Sequence, residues 1–134
     1  MTGVQTCALP ISLALQGNTA PYLQYAYARI RSILRKSGEQ PGHIAALETV
    51  ERDLVKKVLW LPTVVETVVQ SLRPHQLAEY LFDLANTFST FYSELSVLKA
   101  EPELRASRLA LCELVARALQ TGLGLLGIEV LERM

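Results

Sequence analysis

Apolar residues recur along most of the chain at steps of three and four, the spacing that gathers them on one side of an α-helix. The longest run is Leu77, Leu81, Leu84, Phe88, Phe91, Leu95 and Leu98, with steps of 4, 3, 4, 3, 4 and 3. Pro74 stands before it, where the fixed φ of proline suits a helix start. A second run, Leu109, Cys112, Ala116, Leu119, Leu123 and Leu126, opens after Pro102 and closes on Gly127, a natural C-cap. Three shorter helices precede these. One spans about Ala20 to Lys36, with Leu23, Tyr27, Ile30 and Leu34 on one face and Arg35 and Lys36 at its negative end. Gly17, Asn18 and Thr19 supply its turn and cap, and Ser37-Gly38 stops it. The next spans about His43 to Leu59 through Leu47, Val50, Leu54 and Val58. The third, about Pro62 to Ser71, carries Val64, Val65, Val68 and Val69. Valines also suit a strand, but Glu66 and Thr67 separate the two pairs at helical spacing. Five helices joined by short loops predict an all-α bundle.

Residues 1–11, MTGVQTCALPI, follow no helical period. They are set aside as a non-native or disordered leader, leaving one domain over 12–134. That length suffices to bury a core without disulfides or metal. Half of the residues are hydrophobic and 19% are charged. Such a composition fits a tightly packed bundle, and it equally fits a fragment whose apolar surface faces a neighbouring domain. Cys7 and Cys112 form no CxxC pair, and Cys112 reads as a small buried thiol of a protein in a reducing cytoplasm. No apolar run has the length of a membrane span.

Charge changes the picture of partners. Thirteen basic residues balance thirteen acidic ones. A free-standing nucleic-acid binder usually shows a basic excess, because neutralising phosphates supplies much of its affinity. RNA contact by this chain therefore has to rest on shape and a few base contacts, with charge supplied from elsewhere. No catalytic constellation stands out. His43 and His75 stand at predicted helix starts without spaced ligand partners. Gly122, Gly124 and Gly127 lie at a helix end, not after a strand, so they form no phosphate loop. Tyr22, Tyr25 and Tyr27 cluster near Arg29, Arg31 and Arg35, a combination that suits splayed RNA bases. Periodicity alone places Tyr27 in the core and the arginines on a solvated face. Tyr92 follows Phe91 and points about 100° away from the stripe, a place for a stacking platform or a plain surface residue.

Three ordered blocks carry a family resemblance. GNTAPYLQYAYARIRSILRK (17–36), RPHQLAEYLFDLANTFSTFY (73–92) and LRASRLALCELVARALQTGLGLLGIEVLERM (104–134) resemble the C-terminal, anticodon-binding DALR domain of arginyl-tRNA synthetases. The resemblance runs from Leu15 to Met134. It implies a parent class I enzyme that joins arginine to its tRNA with ATP and Mg²⁺, in a catalytic domain absent from this chain. It also implies an aromatic on the central helix and a terminal methionine beside the anticodon, matching Tyr92 and Met134. The candidate RNA-contacting set is Tyr92, Met134, Arg133, Ser96, Tyr22, Gln24 and Arg29. Ser96 stands where some members have a further aromatic, and Leu131 where many have proline. Arg105-Ala106-Ser107-Arg108 occupies the neighbourhood of the DALR tetrad. The expected partners are the anticodon loop of tRNA for arginine and the missing catalytic domain in cis, with no membrane and no DNA. The fragment itself is expected to be no enzyme and to hold no cofactor or metal. The alternative is a helical protein-interaction bundle that associates through the region of Tyr22, Tyr92 and Met134.

Overall fold

Five helices follow one another in the computed structural model, which describes residues 20–45 and 47–134: α1 (Ala20–Ser37), α2 (Thr49–Leu59), α3 (Leu61–Ser71), α4 (His75–Glu94) and α5 (Pro102–Leu125). The leader, its boundary with the domain, Cys7 and the Gly17–Thr19 cap lie outside the described residues. The two longest stripes supply the two longest helices, and α4 touches all four of the others. Leu81, Leu84, Phe91, Leu109, Leu119 and Leu123 are fully buried between them. Each such side chain contributes about 1.5–3 kcal/mol by leaving water. Helix α5 packs tightly on α4 at Gly122, where a Cβ would lie 2.5 Å from Leu81 Cδ2. The α5 helix ends in a Schellman turn. There Ile128 N–H donates to the Leu123 carbonyl (2.9 Å) and Gly127, at φ 76°, donates to Gly124 (3.0 Å).

The valine-rich segment is helical, but α3 buries none of its residues fully. Val64 and Val68 pack against the core from outside, whereas Val69 is 68% exposed. Leu72 closes α3 at φ 58°, a left-handed cap that costs a leucine about 1–2 kcal/mol.

Two predicted boundaries move, for one shared reason. The second helix begins at Thr49 and not at His43. The preceding residues run extended along α5: Gly42 N–H donates to the Ala106 carbonyl (3.0 Å) and Ala45 N–H to Ser107 Oγ (3.0 Å). A Cβ at Gly42 would sit 2.8 Å from Ala106 Cβ, so glycine permits the approach. His43 is accordingly exposed in a loop, while His75 does begin a helix. The apolar stripe of α4 also outruns its helix. Leu95 turns extended (φ −115°, ψ 131°), Leu98 lies beyond, and Val97 takes the core position. On α1, Ile33 is buried and Leu34 only half-buried, a small rotation of the predicted face.

A buried ionic network stabilises both shifted boundaries. Glu51 and Arg108 are 0% and 4% exposed. Arg108 Nε donates to Glu51 Oε1 (2.9 Å), Nη2 to Glu48 Oε1 (3.1 Å) and Nη1 to the Ser96 carbonyl (2.6 Å). The other Glu51 oxygen accepts the Glu48 backbone N–H (2.8 Å) and so caps α2. One guanidinium thus holds the start of α2, the end of α4 and the middle of α5. Both residues lie on apolar faces in the sequence, Glu51 between Leu47 and Leu54 and Arg108 four before Cys112. That placement was the signal for a buried pair.

Candidate nucleic-acid interface

Helix α1 sorts its side chains onto three faces, because every residue turns the helix by about 100°. Leu23, Tyr27, Ile30 and Ile33 face the core. Gln24, Tyr27, Arg31 and Arg35 meet the segment that follows α5. Gln24 Nε2 donates to the Glu129 carbonyl (2.7 Å), and the Tyr27 hydroxyl donates to Glu132 Oε1 (3.2 Å). Arg31 Nε donates to Glu132 Oε2 (3.1 Å), and Arg35 Nη1 to the Glu132 carbonyl (3.1 Å). Burial, then the adjoining Glu132 carboxylate, pushes the Tyr27 hydroxyl above the usual phenol range. Arg31 also pairs with Glu113 (2.9 Å).

The third face stays open. Tyr25, Arg29, Arg35 and Lys36, with Arg133 and Met134 from the tail, line a cleft of about 400 Å³. Four of its lining residues are cationic and none is Asp or Glu, so the balanced net charge hides a locally basic site. Tyr25 is 56% exposed and Met134 61%. Arg29 turns its guanidinium over the Tyr92 ring, 5.3 Å from the centroid, and Tyr92 stacks on Phe88 at 6.1 Å and 20°. Such a cation–π contact favours a fixed guanidinium plane. Phe88, Tyr92 and Arg29 form a ladder that rises from the core to the cleft. Tyr25 and Arg29 also border a small adjoining hollow of about 60 Å³, together with Tyr22 and Phe88.

The structure therefore brings Arg29, Arg133 and Met134 to the cleft lining, with Tyr92 beside it only through its contact with Arg29. It places the other three predicted residues differently. Tyr22 donates its hydroxyl to Asn86 Oδ1 (3.1 Å) and tilts against Phe82 at 5.5 Å, at the α1–α4 junction. Gln24 is engaged by the tail. Ser96 is exposed past the end of α4, and its carbonyl serves Arg108. Lys36 and Glu132 escaped the sequence reading. The spacing of Tyr25, Arg29, Ser32 and Lys36 on the face opposite the core was the available signal for Lys36. Glu132 belongs to the Glu-Arg-Met ending of the resembling block, but nothing in sequence announced its partners, which lie about a hundred positions away.

Among the described residues no group of three or more His, Cys, Asp or Glu side chains is placed to hold a metal ion, and no helix is long and apolar enough to cross a membrane.

Comparison with known proteins identifies the family. Residues 23–134 match the family model for the DALR anticodon binding domain. The chain is 54% identical over 127 residues to the arginine--tRNA ligase of Synechococcus elongatus, covering 91% of this chain and 22% of that protein. It is 48% identical over 128 residues to the arginine--tRNA ligase of Pseudoalteromonas translucida, with the same coverage of 91% and 22%. Among solved structures, Thermus thermophilus arginyl-tRNA synthetase superposes with a TM-score of 0.83 at 39% identity, over 91% of this chain and 22% of that one. Plasmodium falciparum arginyl-tRNA synthetase gives 0.78 at 30% identity, again over 91% and 22%. The chain thus spans about a fifth of the length of the relatives it matches.

Proposed function

The chain belongs to the DALR anticodon-binding domain family of arginine--tRNA ligases, and from that premise we propose that its cleft between α1 and the tail holds the anticodon loop of tRNA for arginine. The observation that carries the reading is Arg29, which stands over Tyr92 and lines the cation-bordered cleft with Met134. An unstacked anticodon base can lie on an aromatic ring or on a guanidinium plane. Each stacked base contributes about 1–3 kcal/mol. Arg29, Arg35, Lys36 and Arg133 supply local phosphate contacts that the net charge of the chain conceals. With four such contacts, the slope of log Kd against log salt has a ceiling of about 3. Tyr22 and Gln24 take part by fixing α1 and the tail.

The longer protein would attach arginine to its tRNA with ATP and Mg²⁺ in a catalytic domain joined in cis, and would act in the cytoplasm. This segment alone is proposed to have no ligase activity. Arginine-dependent exchange between ATP and pyrophosphate by the purified chain would contradict that. The direct test of binding is an NMR titration with an arginine-tRNA anticodon stem-loop beside one with altered anticodon bases. Selective shifts at Tyr92, Arg29 and Met134 support the reading; equal responses to both RNAs overturn it.

One observation favours an interaction bundle instead, through a face other than the region of Tyr22, Tyr92 and Met134. Leu59, Trp60, Val69 and Leu72 are 59–83% exposed on α2, α3 and their ends. Sedimentation would show a concentration-dependent dimer under that reading, with Trp60→Ser abolishing it.

A further inference from the structure

The segment after α5 packs Leu126, Ile128 and Val130 against the core from outside, but its last four residues are exposed. Beyond Ile128 the polar contacts that hold it come from α1. Glu129 is held through its carbonyl by Gln24. Glu132 is held three ways: Tyr27 donates to one carboxylate oxygen (3.2 Å), Arg31 to the other (3.1 Å), and Arg35 to the backbone carbonyl (3.1 Å) while lying 3.6 Å from the carboxylate. Arg133 and Met134 come next in the chain and line the cleft. No hydrogen bond or ion pair holds either of their side chains among the described residues. Their positions therefore depend on what precedes them. The Tyr27 hydroxyl is anchored by a ring that is 3% exposed, so the latch is fastened to the core and not to another mobile group.

We infer that Glu132 is the positioning residue of the cleft: its carboxylate latches the tail to α1 and sets where Met134 and Arg133 meet the RNA. This rests on the anticodon reading above. Glu132 itself faces α1 and makes no contact with the ligand. An exposed ion pair adds little to fold stability, so the latch can be removed without unfolding the domain.

The test uses the full chain with a ¹³C-labelled methionine methyl, assigned by its loss in Met134→Leu. In Glu132→Ala, thermal unfolding is expected to stay near wild type while the Met134 methyl moves to its free-peptide shift and gains mobility, without RNA present. Affinity for the arginine anticodon stem-loop is expected to fall by about tenfold, a fraction of the worth of a stacked base. Glu132→Gln, which keeps the shape but loses the charge, should fall between. In a Met134→Ala background Glu132→Ala should add little further loss, because both changes remove the same contact. An unmoved methyl, or a full additional loss in that background, overturns the inference. If the wild-type chain does not distinguish the two stem-loops, the anticodon reading fails by itself, and the methyl result still decides the latch.

Discussion

Of the guanidinium–carboxylate clusters that tie helices to irregular chain in this domain, two have opposite surroundings. Arg108 and Glu51 are dry, with side chains 5% and 0% exposed, and join three helices. Arg31 and Glu132 are wet, at 31% and 60%, and join one helix to the tail. The chemistry is the same and the consequences differ. In the dry cluster Arg108 and Glu51 have both given up their water, so either left without the other is a buried ion short of its main partner. In the wet cluster water replaces a lost partner at small cost, and screening weakens what remains. The dry cluster therefore maintains the fold, whereas the wet one governs the position of a few residues. The difference teaches that the number of ion-pair contacts says little until burial is known.

The sharpest break of the comparison is Glu51→Ala or Arg108→Ala. Each is expected to cost about 3–5 kcal/mol in urea unfolding, while Glu51→Leu with Arg108→Met recovers much of that. A loss below about 1 kcal/mol from the single changes would mean that the pair behaves like a surface one. Next comes the aromatic ladder, which runs from the dry to the wet side. Phe88→Ala should destabilise by about 3–5 kcal/mol as a buried truncation. Tyr92→Ala should lose about 0.5–1.5 kcal/mol of ring pairing and weaken RNA binding far more than Phe88→Leu does. Equal unfolding effects at the two positions would dissolve the distinction. Glu132→Ala should change stability by at most about 1 kcal/mol, an effect that disappears in high salt. The smallest effect, invisible at neutral pH, belongs to Tyr80. Its hydroxyl donates to the Lys57 carbonyl (2.6 Å), and burial pushes its ionisation from 10.0 up to about 12. The fold favours the neutral phenol. The stability this adds is complete below pH 10 and is lost as pH rises through 12, a decline that Tyr80→Phe should flatten in alkaline unfolding curves.

Local chemistry was legible in sequence where neighbours in the chain decide it. The stripe from Leu77 to Phe91, the stripe from Leu109 to Leu123 and the Gly127 cap depend on residues within a turn or two, and each stands where periodicity put it. The start of α2 and the end of α4 depend on Arg108, roughly sixty and twelve positions away, and helical period has no term for such a partner. The cleft divides along the same line. Tyr92 and Met134 came from resemblance, and Arg29 from its aromatic neighbours. Glu132 and the tail-holding roles of Gln24, Tyr27 and Arg31 appear only when residues about a hundred positions apart are brought together.

The three faces of α1 make it intolerant of any change in length. Adding one residue within α1 would rotate everything after it by about 100°. The core, tail and cleft faces would lose register together, although no side chain had been altered. A single extra alanine after Ala28 would leave Leu23 in the core while swinging Ile30, Arg31 and Arg35 off their partners. Substitutions can be absorbed one face at a time; insertions and deletions cannot. Helix α1 is in this sense a ruler whose graduation is read by three surfaces at once, and its number of residues is as much a part of the site as any side chain it carries.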